Sequence, residues 1–231
     1  DEYDPKANVN DGSCQSLEGC TDATMVSYDG YDYPVVAIGT QCWFKENLRA
    51  TQFGNGEDIP NVQDPVEWSN TNSQARCAYS NDETLAAIDG YLYNAFSVDD
   101  VRGICPIGWH PATDDEWKEL EAYLGMPLAE LDVTGFRGST QGVGSSLKSD
   151  TEWNGSNLSG FSALPAGRRS NTGGFINRSN EGFWWSFPWF GVNTRALNGN
   201  QSGVNRFSSD TRSGMSVRCL RSVVGCIDPA A

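Results

Sequence analysis

Basic side chains are scarce in this chain. Its 231 residues include 16 lysines and arginines against 30 aspartates and glutamates, which gives a formal net charge of −14 at pH 7. Such an excess of negative charge excludes nucleic acids and anionic membrane surfaces as general partners. The sequence also lacks any apolar run close to the roughly 20 residues that span a bilayer, so we expect no membrane insertion.

Histidine occurs once, as His110. A Ser–His–Asp or Cys–His catalytic site would therefore have to use this residue. His110 stands between Trp109 and Pro111, directly ahead of a predicted helix, where a packing or hydrogen-bonding role is the better interpretation. No cluster of histidine and cysteine has the spacing of a zinc site. We expect neither catalysis nor a cofactor, with calcium as the one ion still to be considered.

No two of the seven cysteines are spaced as a CxxC pair. Cysteines used in this way favour disulfide bonds in an oxidising compartment, so we expect a secreted protein, extracellular or on the cell surface. The 25 glycines and 8 tryptophans are typical of a loop-rich, mainly β protein with little helix.

The strongest helix signal begins at Thr113. This residue is a good N-cap, and Glu116 stands where a capping box needs its acidic partner. Apolar residues recur at helical spacing from Trp117 to Leu124, and Gly125 follows as a stop signal. The pattern predicts one amphipathic helix with a buried tryptophan.

Two β patterns frame this helix. Residues 34–44 predict a hairpin with a two-residue turn at Gly39 and Thr40. From Phe161 to Leu220, short strands alternate with glycine, asparagine and serine turns, as in an antiparallel meander. We expect the last strand, 215–220, to pair with the first hairpin. Short helices are predicted at 81–88 and 127–131, a strand at 91–96 and an irregular segment at 50–80.

These pieces together resemble the Fibrobacter succinogenes major paralogous domain, a secreted domain widespread in the Bacteroidetes. The shared motifs follow the family's order: residues 39–48 (GTQCWFKENL), 91–94 (YLYN), 105–111 (CPIGWHP), 147–149 (LKS), 160–168 (GFSALPAGR), 183–186 (FWWS) and 214–221 (GMSVRCLR). The resemblance implies an α+β, C-type-lectin-like fold with antiparallel strands, two helices, a long loop region and disulfide staples. The helix that follows Trp109-His110-Pro111 and the strand Ser216–Cys219 also resemble those of C-type-lectin-like folds, including the branch of the formylglycine-generating enzymes.

The two chain ends match each other. Written tail to head, they read GCIDPAA-DEYDPKANVNDGSC, which resembles an acidic repeat of large secreted Bacteroidetes proteins, GCTDPxAxNYDPxAxxDDGSC. We therefore divide the chain into an acidic, cysteine-containing repeat segment or linker (1–33), the domain itself (34–222) and the start of a next repeat segment (223–231). Neighbouring copies of the same unit are the expected partners, with Cys226 of one unit bridged to Cys14 of the next. The alternative is that these boundaries are arbitrary.

The first segment also carries oxygen ligands at short spacing. Asp4, Asn8, Asn10 and Asp11 are the candidate calcium ligands. They do not follow the EF-hand pattern, and a solvated turn rich in Asp and Asn is the competing interpretation.

Besides the bond between units, two disulfides are predicted within one unit. Cys105 with Cys219 would tie the helix start to the last strand, and Cys20 with Cys42 would tie the leader to the first hairpin. A bond between Cys42 and Cys77 is the competing arrangement, and in the first scheme Cys77 is left over.

Basic and amide side chains gather in the loop-rich second half, although the chain as a whole is acidic. Aromatic faces beside arginine and asparagine can bind sugars or protein loops. The candidate ligand contacts are Arg168, Arg169, Asn171, Asn177, Arg178, Trp189, Arg195, Asn198 and Arg206. The alternative is that these arginines pair with carboxylates and that Trp184 and Trp185 belong to the core.

The leading hypothesis is a non-catalytic extracellular module of a tandem-repeat or head-to-tail polymerised surface filament or adhesin. The second is a discrete carbohydrate- or protein-binding receptor domain, with glycans or surface proteins as partners. The third is an enzyme related to the formylglycine-generating branch. Calcium-bridged sugar binding is not expected, because Trp153-Asn154-Gly155 matches only part of the Trp-Asn-Asp element of C-type lectins.

Overall fold

The computed structural model describes Cys20, residues 24–187 and residues 194–222. The strands in these residues are β1 (Met25–Tyr28), β2 (Tyr31–Ile38), β3 (Gln41–Phe44), β4 (Arg76–Cys77), β5 (Leu92–Tyr93), β6 (Trp109–Pro111), β7 (Gly135–Arg137), β8 (Arg168–Arg169), β9 (Phe175–Ile176), β10 (Glu181–Trp185), β11 (Thr194–Asn198), β12 (Val204–Phe207) and β13 (Cys219–Arg221). The helices are α1 (Pro65–Asn70), α2 (Glu83–Asp89), α3 (Ala95–Val98), α4 (Asp114–Tyr123) and α5 (Val143–Leu147), with short 3₁₀ turns at Tyr79–Asn81 and Leu128–Glu130. The fold is mixed α+β with antiparallel sheets and few helices.

The largest sheet joins the two ends of the domain. Its strand order is β1-β2-β3-β13-β6. The predicted hairpin is confirmed, with Ile38 opposite Gln41 across the turn and Gly39 at φ 61°. The predicted pairing of the last strand with this hairpin is also confirmed, because Leu220 lies opposite Trp43. This strand is shorter and later than the pattern indicated, since it covers Cys219–Arg221 only.

The predicted meander forms a second sheet. Strands β10, β11 and β12 are antiparallel neighbours in sequence order. The fourth strand of this sheet is β7, which pairs with β12, and not the chain's last strand. The reason is that β13 already has both of its edges occupied by β3 and β6.

Helix α4 follows its sequence signals closely. The Thr113 hydroxyl accepts a hydrogen bond from the Glu116 N–H (3.2 Å), and the Glu116 carboxylate accepts one from the Thr113 N–H (2.8 Å), so both halves of the capping box are formed. Trp117 and Leu120 are fully buried on its inner face.

The other predicted elements are shorter than expected. The helix predicted at 81–88 is α2, which Asp82 caps and Gly90 ends at φ 78°. The predicted strand 91–96 contains only β5, because Asn94 caps α3 and turns the chain. The helix predicted at 127–131 is a single 3₁₀ turn at Leu128–Glu130.

The core consists of three aromatic-rich clusters. One lies between the two large sheets and α4 and contains Trp43, Trp117, Phe161 and Trp184. Trp185 belongs to a second cluster, so the interpretation of Trp184 and Trp185 as core residues is the correct one. The third cluster is built around Trp68 on α1, inside the segment expected to be irregular. In the described part of the chain, no helix has the length and apolar character of a membrane span.

Candidate functional site

His110 connects the start of α4 to the end of β13. Its Nε2 lies 2.7 Å from Glu116 Oε1, and its Nδ1 lies 2.8 Å from Ser222 Oγ. Because an ionised carboxylate only accepts, Nε2 donates to Glu116, and in the neutral imidazole Nδ1 accepts from the serine hydroxyl. The only histidine therefore extends the capping box by one further hydrogen bond.

Glu116 is held in its ionised form by this arrangement. Burial raises the pKa of its carboxyl, but the hydrogen bonds from His110 and from the Thr113 N–H outweigh burial and leave the pKa below its usual value. The carboxylate also faces the first turn of α4, where the helix dipole favours negative charge.

As in a catalytic triad of hydrolases, a serine hydroxyl contacts one ring nitrogen of His110 and a carboxylate contacts the other. Two observations fit a structural role better. The Ser222 N–H donates to the Gly108 carbonyl (2.8 Å), so it is not available to stabilise an oxyanion. A cleft of about 450 Å³ beside His110 is lined by the 98–105 loop, Trp109 and Phe187, but its lining does not include Ser222.

The basic residues predicted to contact a ligand are mostly directed inward. Arg195 is fully buried and donates to Glu121 (2.7 Å), and it also forms an ion pair with Asp114 (2.7 Å). Arg206 makes a two-bond ion pair with the same Asp114 (2.7 and 2.9 Å). Arg169 is also fully buried. These three arginines are therefore held by partners inside the domain.

Arg169 has no carboxylate partner, and backbone carbonyls take its place. Its guanidinium donates to the carbonyls of Val62 (2.6 Å), Gln63 (2.8 Å) and Gly173 (2.9 Å) and lies 4.4 Å from the centroid of the Trp68 ring. The arginine thus fixes the 60s loop against β8, a role that no local sequence signal indicated.

The amide residues and Arg178 are engaged near the surface. Asn171 donates to Asp210 (3.1 Å), and Arg178 pairs with Asp89 (2.5 Å). Asn177 and Asn198 both donate to Glu181. Each of these contacts joins two described residues of the domain.

Arg168 differs from the rest of the predicted set. It is half-buried, and its guanidinium lies 4.9 Å from the centroid of the Phe183 ring. The buried Nε of this side chain has no hydrogen-bond partner among the described residues. Burial lowers the pKa of this arginine. Trp189, the remaining predicted contact, lies outside the described residues.

Both disulfides predicted within one unit are formed. Cys105 bonds to Cys219 with their Cα atoms 5.9 Å apart, and Cys20 bonds to Cys42 with theirs 5.0 Å apart. The competing Cys42–Cys77 bond is not formed. Cys77 is a buried free thiol whose pKa burial raises to about 12, so it is a poor nucleophile.

The proposed calcium ligands Asp4, Asn8, Asn10 and Asp11 lie outside the described residues, as do Cys14 and Cys226. Within the described ranges, no three His, Cys, Asp or Glu side chains are grouped so that they could hold a metal ion.

The described chain enters and leaves the domain at one place. Cys20 is bonded to Cys42 at the start of β3. Since β13 runs antiparallel to β3 with Leu220 opposite Trp43, Arg221 is level with Cys42. Both connections therefore lie at the same end of the central strand.

Fold and site together define a disulfide-bonded α+β domain with a buried ion network of Arg137, Arg195 and Glu121. The chain belongs to the family of the Fibrobacter succinogenes major domain, because the model of that family matches residues 36–221. Comparison with curated proteins gave no match, and comparison with solved structures gave none either.

Proposed function

We propose that this domain is a non-catalytic extracellular module, C-type-lectin-like in fold, of a tandem-repeat or head-to-tail polymerised surface filament or adhesin. The observation that carries the proposal is the meeting of the two chain connections beside Cys42. A domain with adjacent ends can be inserted into a longer chain or fibre without rearranging its own core. The matching halves of an acidic repeat at the two ends of the sequence supply such a connection.

The charge distribution also supports this role. Arg137, Arg195 and Arg206 neutralise Glu121 and Asp114 inside the domain. The carboxylates that give the chain its formal net charge of −14 are therefore left mainly to the surface. Like-charged units repel one another, which keeps a long array extended and soluble.

The proposed disulfide between Cys226 of one unit and Cys14 of the next, which we call the seam, can be tested by its redox dependence. The purified chain should form a ladder of oligomers under non-reducing conditions that collapses on reduction, as seen by intact mass and size-exclusion chromatography. Cys14→Ser and Cys226→Ser should each remove the ladder. The matched control Cys77→Ser, at a buried thiol, should leave it unchanged. A monomer under both conditions contradicts the seam, and electron micrographs of native material without a regular repeat contradict the array.

A discrete binding domain is the second candidate. It is favoured by Arg168, whose buried Nε has no hydrogen-bond partner among the described residues. Binding to a glycan array or a surface protein that is lost in Arg168→Ala, but kept when the carboxylate-paired Arg178 is replaced, would favour this function over the array.

An enzyme is the least supported candidate. Chemistry of the formylglycine-generating type needs reactive thiols, whereas Cys105 and Cys219 are bonded to each other. We expect a fluorophosphonate probe to leave Ser222 unlabelled. We also expect His110→Gln to lower the free energy of unfolding by about 1 kcal/mol, the usual worth of one hydrogen bond. Labelling of Ser222 that His110→Gln abolishes would instead establish a hydrolase.

A further inference from the structure

A second cleft, about 380 Å³ in volume, lies between the turn that joins β1 to β2 and helix α2. It shares no lining residue with the cleft beside His110. Its size is within the range of small-molecule sites. We name it the tyrosine cleft, after Tyr31 and Tyr91. Its other lining residues are Asp29, Arg49, Thr51, Glu83, Ala86 and Ala87.

Both tyrosines are half-buried and fixed in position. The Tyr31 hydroxyl donates to Glu46 (2.7 Å), and the Tyr91 hydroxyl donates to Glu83 (2.5 Å). A ligand that packs against rings already locked in this way avoids much of the entropy cost of ordering the site. The cleft is therefore pre-organised for an apolar face.

Carboxylate oxygens with spare acceptor capacity come from both elements that form the cleft. Asp29 receives the Thr51 N–H (2.5 Å) and the Thr51 hydroxyl (2.9 Å) on the same oxygen, Oδ2, which leaves Oδ1 for a ligand. Glu83 uses Oε2 for Tyr91, while its Oε1 has only a long contact of 3.4 Å with Asn61. Both oxygens are acceptors for a ligand that carries hydroxyl donors.

The charges of the cleft favour a neutral ligand. Asp29 and Glu83 line it, which disfavours an anion. A cation is also disfavoured, because the guanidinium of Arg49 lines the same cleft and lies 4.0 Å from the Tyr31 centroid. Sugars combine C–H faces that pack on aromatic rings with hydroxyls that donate to carboxylates.

We propose that the tyrosine cleft binds a neutral saccharide of one or two sugar units. The C–H face of the sugar packs against the part of the Tyr31 or Tyr91 ring that lines the cleft and that Arg49 or Arg76 leaves uncovered, and its hydroxyls donate to Asp29 and Glu83. The proposal does not depend on the array, since it concerns a site within a single unit.

The experiment is a titration of the full chain with glucose, maltose, cellobiose and lactose, followed by amide chemical shifts in two-dimensional NMR. We expect at least one sugar to bind with a dissociation constant between about 10 μM and 10 mM. The shifts should concentrate on residues 29–31, 49–51 and 83–91. Ala87→Trp, at an exposed position of α2, should fill the cleft and weaken binding at least about tenfold without changing thermal unfolding.

Two further variants separate the site from the fold. Ala129→Trp, the matched change at an exposed alanine in the 3₁₀ turn Leu128–Glu130, should bind as the wild type does. Asp29→Asn keeps a residue type that tolerates the positive φ of 45° and should weaken binding several-fold. No shifts with any of the four sugars at about 50 mM, well above that affinity range, overturns the proposal. Sugar binding that is unchanged in Ala87→Trp also overturns the proposal. Binding of tetramethylammonium, with no binding of the sugars, overturns it as well.

Discussion

Replacing Glu121 by glutamine removes the charge at the centre of the buried ion network between α4 and the second sheet. The side chains of Glu121 and Arg195 are 0% exposed and that of Arg137 is 1% exposed. Arg137 makes two parallel bonds to the carboxylate (2.8 and 3.0 Å), and Arg195 makes a third (2.7 Å). A neutral amide in this position leaves guanidinium charge without compensation in a medium where it is poorly solvated.

The two arginines are affected unequally. Arg195 keeps its ion pair with Asp114 (2.7 Å), whereas Arg137 keeps only the Leu131 carbonyl (3.0 Å) and a contact to the Met126 sulfur. Breaking one side of a buried pair costs about 3–5 kcal/mol. At roughly 2–4 °C per kcal/mol for a protein of this size, the melting temperature should fall by roughly 6–20 °C.

Urea unfolding of the oxidised protein, followed by tryptophan fluorescence, measures this loss as a lower midpoint at an unchanged slope. Glu119→Gln is the matched control, because Glu119 is on the exposed side of the same helix and its replacement should cost less than about 0.5 kcal/mol. The double variant Glu121→Gln/Arg137→Met should recover part of the loss, since both halves of one pair are then removed. A loss below about 1 kcal/mol for Glu121→Gln would refute the view that this network holds α4 to the sheet.

Three further perturbations test other parts of the fold. Cys105→Ser with Cys219→Ser opens a loop with a sequence separation of 114, which should cost about 5 kcal/mol on the chain-entropy model; an unchanged urea midpoint would contradict it. Burial raises the pKa of Asp114, but its arginine partners outweigh burial and hold it below its ordinary value. The stability it confers is present above about pH 4 and lost as the pH falls further, so Asp114→Asn should be less stable at pH 7 and show a flatter acid limb in pH-dependent melting. Gly144→Ala would bring a Cβ within 2.1 Å of the Gly203 carbonyl oxygen and should cost about 1–3 kcal/mol, and a wild-type melting temperature would exclude this close contact.

The features that could be predicted from sequence are those whose signals are local. The capping box of Thr113 and Glu116 lies within four residues, and the turn at Gly39 fixes its own hairpin register. Pairing of the last strand with this hairpin was also predictable, because a compact domain brings its ends together. The family motifs, which follow one another in the family's order, added the order of the segments along the chain. The family match by itself does not specify a ligand.

The role of the basic residues could not be predicted in the same way. Arginines near strands are equally compatible with a ligand surface and with internal ion pairs, and the choice depends on where the carboxylates lie after folding. Arg195 meets Glu121 from 74 positions away, and Arg206 meets Asp114 from 92. Composition alone shows that acidic residues outnumber basic ones. It does not show which carboxylates form ion pairs with arginines inside the domain.

The sequence by itself thus determined the helix and the hairpin, because turn chemistry, helix capping and hydrophobic periodicity act over a few residues. The choice between Cys20 and Cys77 as the partner of Cys42 was open until the tertiary structure placed Cys20 beside it. Only the tertiary structure decided that most of the predicted binding arginines face inward. It also formed the tyrosine cleft from Asp29 and Tyr31 at the β1–β2 turn, Glu83 on α2 and Tyr91 just ahead of β5. The physical reason is that ion pairs and clefts depend on distances between elements, which are set when the sheets and α4 close around a common core.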